Sequence, residues 1–182
     1  MGIKKLGYSA LEMLIVIGMI SLLIPAMFAL FFSNLRAQSK VLILQEVKRN
    51  GDNALGAMTT IIKQYGRSLH SAIPPLSSNE ICTNDNPNFN DGRIYIKDVN
   101  GNWFSFYVNQ NKIASESSQT GSVDLTNDKV SISSFALTCT RTSEFSPPLV
   151  SISFIASQSA ITDRQDEKST LNYQTKVKLR TY

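Results

Sequence analysis

From Met13 to Phe32 the chain runs twenty residues without a charge. At helical rise that run covers about 30 Å, the depth of a bilayer's hydrocarbon core. The pattern then changes rather than stops. Leu44, Val47, Leu55, Met58, Ile62 and Tyr65 return at spacings near 3.6, with Glu46, Lys48, Arg49, Asp52 and Lys63 mostly on the other side. The two patterns predict one helix from Ser9 to Tyr65, apolar all round in its first half and amphipathic in its second. Gly51 and Gly56 weaken its middle, and Gly66 followed by Pro74-Pro75 ends it. Within the apolar half, Pro25 removes the N–H that would serve the Ser21 carbonyl, so a helix kink is expected there. Gly18, Ser21, Pro25, Ala29 and Ser33 give one face of small residues, which lets membrane helices approach closely.

Beyond the helix the period falls to two. RIYIKDV (93–99) and NWFSFYVN (102–109) flank Asn100-Gly101, a two-residue hairpin signal. KVSISSFALTC (129–139), LVSISFIA (149–156) and LNYQTKVKLRTY (171–182) add three more strands. Residues 66–92 and 115–128 are dominated by Ser, Asn, Thr, Pro and Asp. Strands without intervening helices predict an α+β fold, with an antiparallel β-sheet head laid on the long N-terminal helix.

Length and charge narrow the picture modestly. The 182 residues suffice for one domain with a real core. A net charge of +4 is too small to argue for nucleic acid by itself. Lys176, Lys178 and Arg180 alternate and so share one strand face; this is either a solvated face or a basic contact stripe, for which DNA would be one partner. Cys82 and Cys139 lie far apart with no metal-ligand spacing. Outside the cytoplasm they read as a disulfide; two buried thiols are the alternative. TNDNPNFNDG (83–92) has the composition of a calcium loop without its order or its distal Glu, so no metal is expected. His70 reads as a loop residue and Trp103 as packing. The chain lacks GxSxG, HExxH, a P-loop and a Gly-rich dinucleotide turn; neither an enzyme nor a cofactor is expected.

One residue in the N-terminal segment resists the simplest readings. A cleaved secretory signal has a shorter apolar run that ends in a small-x-small site; here the run is longer, and Ala26, Ala29 and Ala37 are not placed to give one. A plain signal anchor explains everything except Glu12, a carboxylate at the edge of a bilayer-length run. Lys4 and Lys5 place the N-terminus on the cytoplasmic side by the positive-inside rule.

The order basic leader, Gly7-Tyr8-Ser9-Ala10-Leu11-Glu12, apolar run LEMLIVIGMI resembles the class III signal of type IV prepilins and type II secretion pseudopilins. The resemblance is densest over residues 4–24. It implies cleavage by a prepilin peptidase between Gly7 and Tyr8, N-methylation of Tyr8, and an assembly salt bridge from Glu12 to the terminal amine of a neighbouring subunit. It also implies a leader at 1–7, a transmembrane and filament-core helix at 8–33, its amphipathic continuation at 34–66 and a β-rich head at 67–182. The implied partners are other pilins or pseudopilins and an inner-membrane assembly platform. The implied location is the cytoplasmic (inner) membrane, then a pilus or pseudopilus. Tyr8 stands where Phe or Met is usual, and Pro25 falls four residues before the proline common in major pilins. The early proline, the lack of a cysteine pair near the C-terminus and the ending VKLRTY look more like a minor subunit. The alternatives are a signal-anchored extracytoplasmic binding domain that does not polymerise, and a DNA-contacting competence pilin.

Overall fold

The computed structural model describes residues 9–143, 145–159 and 169–180. Helix α1 spans Ala10–Tyr65 without interruption. It crosses two compact units, Met1–Val41 and Leu42–Tyr182. In the first unit every described residue is exposed, including Leu14, Leu22, Met27 and Leu30. This stretch is long and apolar enough to cross a membrane.

The second unit contains the α+β fold. Among the described residues ten strands follow the helix: β1 (Ser68–His70), β2 (Glu80–Ile81), β3 (Asn88–Phe89), β4 (Tyr95–Lys97), β5 (Trp103–Asn109), β6 (Lys112–Ser117), β7 (Gly121–Asp124), β8 (Val130–Thr140), β9 (Leu149–Gln158) and β10 (Thr170–Lys178). They form two antiparallel sheets rather than the single one expected. One has the order β2-β1-β4-β5-β6-β7 and the other β10-β9-β8-β3. The break falls beside β8, whose Ile132 N–H reaches only the turn carbonyl of Asn111 before β3 takes up the same edge at Cys139 and Thr140. A bulge at Ser134, with φ +50°, shifts the β8–β9 register between Ser133 and Ala136.

The helix contributes Val47, Ala54, Met58 and Ile62 to the core, against Ile96, Phe106, Ile152 and Phe154 among others. This corrects the expected stripe at both ends. Leu44 and Tyr65 are exposed, and Asn50 and Gly51 are buried in their stead. Gly51 is therefore no weak point. The Tyr173 ring lies directly over it, stacked on Phe154 with centroids 4.9 Å apart, and donates its hydroxyl to the Lys48 carbonyl at 3.1 Å. Only a residue without a Cβ lets that ring come so close.

The hairpin turns exchange places with expectation. Asn100-Gly101 makes no two-residue loop: Asp98 N–H donates to Asn102 O, and only Gly101 is left-handed, with φ +85°. The Asp98 carboxylate accepts from the N–H groups of Asn100 and Asn102, both at 2.8 Å, which favours the wider bulged loop. The two-residue turn lies at Gln110-Asn111, where φ is +47° and +61°. Asn109 pairs with Lys112 across it. That pair of left-handed residues is the type I′ requirement met without glycine.

Candidate functional site

Gly7 and Tyr8 lie outside the described residues. Ser9, the first described residue, caps the helix. Its hydroxyl accepts from the Leu11 N–H at 3.2 Å, and Glu12 reaches back to accept from the Ser9 N–H at 3.1 Å. This S-x-x-E arrangement is a capping box, in which two otherwise unserved N–H groups are satisfied reciprocally. It was legible in the sequence, in Ser9-Ala10-Leu11-Glu12, but the hydrophobic pattern alone does not find it. Glu12 thus has a local partner and sits at the helix end where the backbone dipole favours a negative charge.

Further along, Ser21 donates its hydroxyl to the Gly18 carbonyl at 2.8 Å. It therefore does not serve its own carbonyl, which Pro25 cannot reach. The helix runs through Pro25 without a break. The small-residue positions Gly18, Ser21, Pro25, Ala29 and Ser33 are all exposed.

In the head, the cysteines are joined: Cys82 and Cys139 form a disulfide with their Cα atoms 6.3 Å apart. The bond ties the end of β2, in one sheet, to β8 in the other. It closes a sequence separation of 57 residues. Both residues are buried.

The helix is further fastened by a polar network. Glu46 accepts from Arg49 at 2.8 Å, from the Asn50 amide at 3.1 Å and from the Asn127 amide at 3.1 Å. Asn50 in turn accepts from the Asn127 backbone N–H at 3.3 Å. The Asn127 hydrogen bond is the main reason the Glu46 carboxyl is held below the usual carboxylate range; the Arg49 charge acts in the same direction, against some desolvation.

His70 is not a loop residue. It lies in β1, 2% exposed, with both ring nitrogens engaged. Nδ1 sits 3.1 Å from the Leu76 carbonyl and 2.9 Å from Asn79 Oδ1, two acceptors, which assigns the proton to Nδ1. Nε2 is left to accept from the Ser68 hydroxyl at 2.8 Å. This arrangement organises the 71–79 loop. Trp103 packs edge-on against Tyr95, with centroids 5.5 Å apart.

Lys176, Lys178 and Arg180 are exposed, and their alternation places them on the outer face of the β10 sheet. No group of three or more His, Cys, Asp or Glu gathers among the described residues. No family model matches the chain, and no curated protein or solved structure matches it either.

Proposed function

We propose that the chain is a minor pilin or pseudopilin, a structural subunit of a type IV pilus-like filament serving a pilus, type II secretion or DNA uptake. A prepilin peptidase cuts between Gly7 and Tyr8 and methylates the new amine. The subunit resides in the cytoplasmic membrane with its N-terminus inside and its head outside, until an assembly platform draws it into the filament.

The supporting observation is the pairing of signal and helix. Glu12 stands in the first turn of a helix whose residues up to Leu42 expose every side chain, while Val47 onward beds on a disulfide-tied β head. A carboxylate at the edge of such a span is costly unless it meets a positive charge. The amine released at Tyr8 lies within a helical turn of it in sequence. In a filament the amine of a neighbouring chain meets Glu12, and a neighbour out of register leaves both ions unmatched.

One observation favours a second reading, a signal-anchored head that does not polymerise. The capping box already gives Glu12 a purely local role. A single experiment separates the two. The full chain is expressed with and without a prepilin peptidase, and its N-terminus is determined by mass. N-methyl-Tyr8 appearing only with the peptidase supports the filament subunit; an unchanged Met1 terminus with active peptidase present overturns it.

A further inference from the structure

Among the described residues the two sheets end on β2, β7, β3 and β10, of which β10 and β7 are the longest, with Lys176 and Lys178 on one and Asp124 on the other. The first is β10, at the end of its sheet. Gln158 N–H donates to Ser169 O, and Leu179 N–H donates to Pro148 O. These bonds fix the ladder: odd-numbered β10 residues face β9 with their backbone groups. The N–H and C=O of Thr170, Asn172, Gln174, Lys176 and Lys178 consequently point away from the sheet. The β9–β10 register is continuous over all nine residues, without bulge or proline. Lys176, Lys178 and Arg180 supply its charge, and β10 contains no acid.

The second edge is β7, at the far end of the other sheet. Leu125 N–H donates to Ile113 O, so the outward backbone groups here belong to Ser122 and Asp124. All four β7 residues are exposed. Asp124 is the one charged residue of this strand, and it shares Lys112 with Asp128 of the following turn.

An open edge is a template for another strand, and proteins that keep such edges monomeric bend, shorten or cover them. In an antiparallel pair of two β10 strands the lysines at one end stand against uncharged residues at the other and gain nothing, whereas against β7 they meet a carboxylate. We propose that β10 of one copy pairs with β7 of a second copy, extending the four-stranded sheet of one head into the six-stranded sheet of the next. The two outward-facing sets match in phase, so Lys176 can stand opposite Asp124 while Lys178 stands opposite Ser122. Opposite charges across strands favour the pairing and like charges oppose it. Because the two edges differ, the contact is head-to-tail and leaves a free edge at each end of any chain of copies. It does not depend on Glu12 or on the processing of Gly7.

The test is a charge exchange on the full chain in nanodiscs, with self-association followed by sedimentation at low and high salt. K176E/K178E and D124K each weaken association by about tenfold. Mixing the two variants restores it through contacts between unlike copies, in which β10 and β7 again carry opposite charges. A second pair isolates the backbone. The Lys176 N–H points outward, so Lys176→Pro breaks no bond to β9 and weakens association further than Lys176→Ala does. Unchanged association in both reversals, or a mixture no stronger than its components, overturns the proposal. Restoration in the mixture together with equal effects of Pro and Ala overturns the strand pairing, leaving only a charged contact. An intact prepilin terminus in the processing experiment would leave these outcomes untouched.

Discussion

Gly51 and Gly56 lie on the same helix five residues apart, and the same substitution should act on them in opposite directions. A Cβ on Gly51 would overlap the far end of the Tyr173 ring, whereas one on Gly56 meets nothing within 4 Å. Alanine in a helix interior is worth about 1 kcal/mol over glycine, which is the whole effect expected at Gly56. At Gly51 the ring must leave. That forfeits about 1 kcal/mol of stacking on Phe154, about 1 kcal/mol for the bond to Lys48 O, and about 1 kcal/mol or more in displaced packing. Against the gain in helix propensity, Gly51→Ala costs about 2 kcal/mol net. For a protein of this size the melting temperature moves by about 4 °C per kcal/mol. Thermal unfolding by circular dichroism should therefore show Gly51→Ala lower by about 8 °C and Gly56→Ala higher by up to about 4 °C. Tyr173→Val removes the obstruction, so its effect and that of Gly51→Ala should fall well short of additive. A Gly51→Ala protein that melts at or above the parent would refute the close approach of ring and helix.

Reduction of Cys82–Cys139 releases a loop with a sequence separation of 57 residues and should cost about 4 kcal/mol, read as a lowered melting temperature in dithiothreitol. Because Asn127 and Arg49 hold the folded-state pKa of Glu46 below its unfolded value, Glu46 stabilises the fold above the unfolded-state pKa. That contribution is lost as pH falls through the folded value, and Glu46→Gln should flatten the acid limb of a melting-temperature profile. His70→Ala leaves Ser68, Asn79 and the Leu76 carbonyl without their shared partner and should cost about 1–3 kcal/mol, with proteolysis first appearing in the 71–79 loop.

How much of this was written in the sequence depends on the range of the interaction concerned. The helix was legible almost to the residue, Ser9–Tyr65 expected against Ala10–Tyr65 observed, because it is carried by a local period and a terminating glycine. The long strands β5, β8, β9 and β10 were legible for the same reason. The proposed prepilin signal at Gly7, Tyr8 and Glu12 likewise rests on spacing along the chain. The short strands β1, β2, β3 and β7 were not, since two to four residues carry no period and form only because a partner strand offers hydrogen bonds. The turn at Asn100-Gly101 misled because Asp98, two residues upstream, captures its N–H groups. By itself, then, the sequence determined the helix, its apolar first half, the α+β class and the acid at the helix start. Tertiary structure decided the division into two sheets, the disulfide that joins them, the burial of His70 and Gly51, and the phase of the β10 and β7 edges. Each of those depends on which distant segment arrives alongside, and no local pattern of apolar and polar residues encodes that choice.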